Sequence, residues 1–99
     1  MLVIFLERVP TSLKGALSRW LLDPKAGVLV GNPTARVREE LWARVEKGVG
    51  DGGATMLWST NTPCGFQWRQ VGDVRRRFRD YDGVPLVLQP GAQGAGNET

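Results

Sequence analysis

The sequence contains no histidine and only one cysteine. A lone cysteine cannot form a disulfide within the chain. The lack of histidine excludes His-based catalytic triads, histidine general bases and most zinc sites. Any catalysis would have to use carboxylates, hydroxyls, lysine or arginine, and magnesium is the metal that suits such oxygen-rich groups.

Long apolar runs are also lacking. No stretch approaches the roughly 18 apolar residues that a membrane-spanning helix needs, so we expect no membrane association. The apolar start has no basic segment before it and runs directly into Glu7 and Arg8, which is not typical of a signal peptide. These features predict a cytoplasmic protein.

Positive charge is concentrated in one part of the chain. The 99 residues predict a single domain whose small core would benefit from a dimer or partner, and the net charge is only +3. However, a short stretch opposed internally only by Asp73 holds five arginines: Arg69, Arg75, Arg76, Arg77 and Arg79. Such a patch suits phosphate binding that is independent of base sequence. The alternative is a solvated loop that balances Asp73, Asp80 and Asp82.

The first half of the chain predicts two strands and two helices. Residues 1–7 (MLVIFLE) are typical of a central strand buried on both faces, with Glu7 at its end. Apolar residues at helical spacing over 13–21 predict a helix that ends at Asp23 and Pro24, with Trp20 packed in the core or at an interface. A strand over 27–31 follows, and then a helix capped by Asn32 with Pro33 at its first position, ending near Gly48.

The second half predicts strands only. A flexible turn at 50–53 precedes a hairpin of strands 54–60 and 66–71, then the arginine-rich stretch and a strand over 84–88. Pro85 cannot donate to a ladder, so that last strand lies at an edge or joins another chain. The order predicts a ferredoxin-like α+β sandwich over 1–89, with two helices on one face of a mostly antiparallel sheet, and a disordered tail over 90–99.

Several segments, taken in order, resemble one known family. They are residues 1–10 (MLVIFLERVP), 19–22 (RWLL), 26–31 (AGVLVG), 36–42 (RVREELW), 60–61 (TN), 65–66 (GF), 72 with 75–76 (G and RR), and 82–83 (DG). Together they resemble the small CRISPR adaptation protein, CRISPR-associated protein 2, in its type I-E branch. The ordered set, which covers about residues 1–89, carries the resemblance rather than any single motif.

The resemblance implies a role in spacer acquisition, the adaptation step of CRISPR antiviral defence. It implies a symmetric homodimer that lies along the middle of a short DNA duplex, contacts its phosphates and bridges two dimers of the integrase, CRISPR-associated protein 1. The implied DNA contacts are Arg75 and Arg76, with Arg77 adjacent, and Lys14 at the start of the first helix, where Ser12 stands in place of a second cation. The implied integrase contacts lie on the last strand, at Val84, Leu86, Val87 and Leu88.

Glu7 is the implied acidic site. Members of the wider family are described as magnesium-dependent nucleases of RNA or DNA that use an acidic residue, generally aspartate, at the end of the first strand. A two-fold axis could bring two Glu7 side chains together around magnesium. The alternative is a strand-end carboxylate paired with a cation such as Arg8. In the type I-E branch, the resemblance implies that this residue is not needed for spacer insertion.

Three hypotheses therefore follow from the sequence. The leading one is a non-catalytic scaffold that binds DNA and bridges integrase dimers. The second is a magnesium-dependent endonuclease that uses Glu7. The third is an RNA-binding ferredoxin-like module, which would need aromatic residues on an exposed sheet face, where Phe66 and Trp68 are the only alternating pair.

Overall fold

The computed structural model describes residues 1–81 and 84–88, and the side chains of residues 1–78. Its elements are β1 (Leu2–Glu7), α1 (Thr11–Leu17), β2 (Leu22–Lys25), β3 (Val28–Gly31), α2 (Ala35–Gly48), β4 (Gly53–Ser59), β5 (Phe66–Gly72), β6 (Arg77–Tyr81) and β7 (Val84–Leu88). The predicted hairpin of 54–60 and 66–71 is confirmed as β4 and β5 to within one residue at each end. The predicted tail, residues 90–99, lies outside the described residues.

The sheet has β1 at its centre, as predicted. Five antiparallel strands follow the order β2-β3-β1-β4-β5, and β6 and β7 form a separate antiparallel pair. This arrangement is consistent with a ferredoxin-like fold. Within the described residues, no helix is both long and apolar enough to cross a membrane.

Both helices pack on one face of this sheet. In β1, Leu2 and Ile4 are buried, and the register places Ile4 beside Leu29 of β3 and Met56 of β4, which are also buried. The apolar stripes of both helices complete this cluster, with Leu13, Leu17, Leu41, Trp42 and Val45. These strand side chains all point to one face of the sheet, and both helices pack against that face. The predicted α+β sandwich, with its two helices in one layer, is therefore confirmed.

The opposite face of the sheet has no helix among the described residues. Val3 is half-buried, and Phe5 is 40 % exposed. The registers place five further apolar residues on the same side, and we call the whole set the open sheet face: Val3, Phe5, Val28, Val30, Leu57, Phe66 and Trp68. The prediction that the first strand is buried on both faces is therefore wrong for the single chain.

The first helix is shorter than predicted. It ends at Leu17, and residues 22–25 instead form β2, in which Leu22 pairs with Val30 of β3. Pro24 is tolerated there because β2 lies at the sheet edge, where the backbone N–H that proline lacks is not needed for pairing with a further strand. Trp20 lies in the intervening turn and is 58 % exposed, so it does not pack in the core of the single chain, while its packing at an interface stays a prediction.

The second helix begins two residues later than predicted. Its N-cap is Thr34, whose Oγ1 accepts a 3.2 Å hydrogen bond from the backbone N–H of Val37. Asn32 does not cap the helix, because its Oδ1 accepts a hydrogen bond from the backbone nitrogen of Met1 at 3.1 Å. The helix ends at Gly48, as predicted.

Candidate nucleic-acid interface

Residues 75–77, which we call the arginine segment, follow β5 and lead into β6, whose first residue is Arg77. All three arginines are exposed. Arg77 donates from Nη2 to the carbonyl oxygen of Gly72 at 3.1 Å, and none of the ion pairs among residues 1–78 involves the three guanidinium groups. The segment therefore presents three neighbouring positive charges to solvent, as the sequence predicted.

The backbone of this segment is anchored to the end of β1 by Glu7. The N–H of Arg75 donates to both carboxylate oxygens of Glu7, at 3.0 Å to Oε1 and 3.2 Å to Oε2. Hydrogen bonds to a carboxylate are among the stronger ones in proteins because the acceptor is charged. Glu7 thus holds an arginine by its main chain, whereas the sequence had suggested pairing with a cationic side chain such as that of Arg8.

Arg8 adds a second anchor one residue later. It has a φ of 55°, in the left-handed region that non-glycine residues rarely adopt. Its Nη2 donates to the carbonyl oxygen of Asp73 at 2.6 Å and lies 3.0 Å from Oδ2 of the same residue. Glu7 and Arg8 at the end of β1 therefore bind Arg75 and Asp73, the two residues on either side of Val74.

Three glycines allow these backbones to meet. A Cβ added to Gly52 would overlap the carbonyl oxygens of Glu7 and Arg8, and one added to Gly53 would lie 2.6 Å from the backbone of Asp73. Gly72, with a φ of 77°, packs against the carbonyl of Gly52, which also accepts a 3.0 Å hydrogen bond from Asp73. The expectation that 50–53 is simply a flexible turn is wrong, because Gly52 and Gly53 are buried at a close backbone crossing.

Two further side chains hold the segment on its other side. Val74, which precedes the arginines, is 2 % exposed. Gln70 of β5 donates from Nε2 to the carbonyl oxygen of Arg76 at 2.7 Å and to Oγ1 of Thr55 at 2.9 Å, while its Oε1 accepts from the N–H of Phe78 at 2.8 Å. Sequence reasoning did not identify Val74 or Gln70. The apolar Val74 beside three arginines was the only local signal.

The predicted helix-start contacts lie in α1. Lys14 is partly exposed, and its Nζ is 3.2 Å from Oδ2 of Asp23. Ser12 and Gly15 are exposed. None of the hydrogen bonds or ion pairs among the described side chains joins Lys14 or Ser12 to the arginine segment, so their role in DNA binding stays a prediction.

Arg79 and the proposed integrase contacts belong to the second, two-stranded sheet. The register pairs Arg79 of β6 with Leu86 of β7, and Phe78 with Val87. The strand predicted at 84–88 is confirmed, and one of its edges is used by β6 of the same chain. Contacts of Val84, Leu86, Val87 and Leu88 with a partner stay a prediction.

Magnesium binding at Glu7, which the sequence placed between two copies of the chain, stays a prediction. Magnesium requires several oxygen ligands in a near-octahedral arrangement. Among the described residues, no group of three or more acidic, histidine or cysteine side chains comes together. Both oxygens of Glu7 accept the Arg75 N–H.

A second charged cluster lies on the helix side of the sheet. Glu39 of α2 accepts a 2.7 Å hydrogen bond from Arg69 and lies 3.4 Å from Arg38. Arg38 also lies over the Trp58 ring, 4.5 Å from its centroid. The hydrogen bond from Arg69 is the main cause that lowers the pKa of Glu39 below its ordinary value of 4.5. Arg69, which the sequence grouped with the patch, is therefore engaged elsewhere.

One comparison with known proteins bears on this site. The family model described as CRISPR-associated protein (Cas_Cas2CT1978) matches residues 1–86. The match includes Glu7 and Arg8 at the end of β1 and also the arginine segment. Because it covers most of the chain, the chain belongs to this family of CRISPR-associated Cas2 proteins.

Proposed function

We propose that this chain, as a Cas2-family protein, is a non-catalytic DNA-binding scaffold of spacer acquisition, of the type I-E branch. Two copies form a homodimer that binds the middle of a short DNA duplex by its phosphates and bridges two integrase dimers. The observation that supports this proposal most is the arginine segment. Its three arginines are exposed, while its backbone is held by the hydrogen bonds from the Arg75 N–H to Glu7 and by the burial of Val74 just before it.

The chemistry of the segment suits a DNA backbone. Arginine binds phosphate oxygens through two parallel N–H groups, and such contacts carry no base information. Each neutralised phosphate releases counterions, so affinity should fall steeply with salt. A homodimer would present two such segments, which suits a protein that must hold duplexes of any sequence.

The open sheet face supports the homodimer. Phe5 is 40 % exposed at the centre of the sheet, and Val3, Val30 and Leu57 around it are only half-buried. Contiguous apolar surface of this kind commonly marks a protein–protein interface. A second copy of the chain is the occupant we propose, since two such faces are alike in chemistry and a two-fold axis would cover both at once.

The last strand, β7, is the proposed contact with the integrase. It is paired only with β6 among the described strands, and its other edge can accept a strand from another chain. Deleting the residues after Gly83 should abolish integrase binding and leave the dimer. An intact complex after this deletion would contradict the docking role.

Spacer integration in vitro tests the proposal. The cognate integrase, a labelled short duplex and a CRISPR-array plasmid are mixed with magnesium at low salt. Wild type is compared with Arg75/Arg76/Arg77→Ala and with Glu7→Gln. A matched control, Arg19/Arg44/Lys47→Ala, removes the same charge from exposed positions outside the described ion pairs.

The scaffold predicts that Glu7→Gln and the control integrate normally, while the arginine variant fails. If the control fails equally, net charge rather than the arginine segment matters, and the proposal is wrong. If Glu7→Gln fails although its dimer and integrase complex form and its duplex affinity equals that of wild type, the carboxylate takes part in the reaction, and the magnesium-dependent nuclease becomes the better explanation.

The open sheet face has its own test, which also addresses RNA binding. Phe5→Glu places a charge at the centre of the face and should convert the dimer to a monomer in sedimentation velocity. Phe66 and Trp68 lie on the open sheet face, where an RNA-binding module would stack bases on them instead of packing against a second copy. A wild-type monomer that binds single-stranded RNA, and loses that binding with Phe5→Glu, would favour that function instead.

A further inference from the structure

Glu7 and Arg8, at the end of β1, contact the first residue of the arginine segment and the residue two positions before it, mainly through backbone groups of those partners. Glu7 accepts the N–H of Arg75 with both oxygens, and Arg8 binds the carbonyl oxygen and the carboxylate of Asp73. Neither residue touches an arginine guanidinium in these contacts. Their effect is to fix where the backbone of the segment runs, which in turn fixes where its side chains start.

The backbone at this contact between the end of β1 and residues 73–75 has little room to move. Gly52, Gly53 and Gly72 bring three backbones into contact there. Val74, between the two anchored residues Asp73 and Arg75, is buried. A segment held at successive residues loses less conformational entropy when it binds a ligand than a loop that must be ordered first.

We infer that Glu7 and Arg8 are positioning residues for DNA binding, which hold the arginine segment in the geometry that meets the phosphates. This inference rests on the proposed function. It assigns the carboxylate at the end of the first strand a role that needs no metal. It also predicts that removing the negative charge of Glu7 together with its hydrogen bond weakens DNA binding. A negative charge beside a DNA site repels phosphates, so its removal should strengthen binding unless the carboxylate also holds the site together.

Two neutral variants of Glu7 separate these effects. Glu7→Gln keeps an oxygen that accepts the Arg75 N–H, whereas Glu7→Met has a side chain of similar length with no comparable acceptor. Both remove the charge equally. Any difference between them in DNA affinity therefore reports the hydrogen bond and not electrostatic repulsion.

The experiment measures equilibrium binding of a short duplex by the full chain with its cognate integrase, in EDTA at low salt. Wild type, Glu7→Gln, Glu7→Met and Arg8→Ala are compared, each also in the Arg75/Arg76/Arg77→Ala background. Amide hydrogen exchange of Arg75 in the DNA-unbound chain gives a second measurement that does not depend on DNA. Thermal unfolding confirms that each variant is folded.

We expect Glu7→Gln to bind at least as tightly as wild type, and Glu7→Met and Arg8→Ala to bind about threefold to tenfold more weakly. Exchange at Arg75 should accelerate in Glu7→Met and stay slow in Glu7→Gln. In the triple-alanine background, the Glu7→Met and Arg8→Ala losses should vanish, because there are no arginines left to position.

The inference and the proposed function fail differently. If the triple-alanine variant binds weakly but Glu7→Met binds as tightly as Glu7→Gln, the positioning role is wrong and the scaffold stands. If Glu7→Met weakens binding equally in both backgrounds, its effect does not pass through the arginines, and the inference is again wrong. If the triple-alanine variant binds as wild type does, both are wrong.

Discussion

The guanidinium of Arg8 holds Asp73, 65 residues away in sequence, by two separate interactions. Nη2 lies 3.0 Å from Oδ2 and donates a 2.6 Å hydrogen bond to the carbonyl oxygen. Both side chains are more than half exposed, so solvent screens the ion pair strongly. The hydrogen bond to the carbonyl does not depend on the Asp73 side chain at all.

Substitutions at this pair should therefore be unequal. Arg8→Ala removes both interactions and should lower the free energy of unfolding by about 1–2 kcal/mol. Asp73→Ala removes only the ion pair and should cost less than about 1 kcal/mol. Urea denaturation at pH 7 measures both. If Asp73→Ala lowers the free energy of unfolding as much as Arg8→Ala does, the result contradicts a contribution from the hydrogen bond to the carbonyl oxygen.

Gly52→Ala should be far more damaging than its small change in size suggests. Its Cβ would overlap the carbonyl oxygens of Glu7 and Arg8, which are backbone atoms and cannot rotate away. We expect a loss of about 3 kcal/mol or more in the free energy of unfolding, or failure to fold. A stable, dimeric Gly52→Ala protein would mean that the three backbones do not meet as closely as described.

Gly15→Ala should have the opposite effect. Gly15 lies in α1, and an added Cβ would have no other atom within 4 Å. Alanine favours the helix by about 1 kcal/mol over glycine, so the free energy of unfolding should rise by up to that amount. Gly65→Ala is the matched control: it also has open space, but its φ of 90° should make alanine destabilising.

The same Gly15 variant bears on the predicted helix-start contact. If DNA approaches α1 closely at Lys14 and Gly15, duplex affinity should fall in Gly15→Ala although the protein becomes more stable. Unchanged affinity, measured by titration of a short duplex with the integrase complex, would count against close approach at this helix.

Glu39 should make stability depend on pH. The hydrogen bond from Arg69 lowers the pKa of Glu39 from its ordinary value of 4.5 in the folded chain, so the folded state favours the ionised form. That contribution is present above the unfolded pKa and is lost as pH falls through the lowered folded pKa. Glu39→Gln should therefore be less stable than wild type at pH 7.

The pH profile of unfolding checks this prediction. The difference between wild type and Glu39→Gln should stay constant above about pH 5.5 and shrink in more acidic solution. Glu46→Gln, an exposed substitution on the same helix, controls for loss of one charge. A wild-type advantage that grows as pH falls would have the wrong sign and would exclude the Arg69 hydrogen bond as its cause.

Local patterns predicted most of the elements. The run at 1–7 predicted the central strand, which begins at Leu2, and alternation around Phe66 and Trp68 predicted the β4–β5 hairpin. The helix prediction failed after Leu17 because Leu21 continues the helical spacing and is indeed buried, although it follows a turn rather than lying in the helix. Edge pairing with β3 decided the structure of residues 22–25.

The site was predicted only in part. Consecutive arginines are visible in sequence, so the charged patch was predictable, and the structure leaves 75–77 exposed. Glycines at 50–53 suggested flexibility, because sequence alone does not distinguish a glycine needed for a turn from one needed for close approach. Gln70 carried no local signal, since its partners Thr55 and Phe78 are set by strand register.

The sequence by itself determined the family, the central strand, the helical faces and the position of the positive charge, because each depends on neighbouring residues. Only the tertiary structure decided that Glu7 binds the Arg75 N–H, and that Arg8 binds Asp73. These partners are 68 and 65 residues apart. Such contacts depend on the order of strands in the sheet, which local periodicity does not specify.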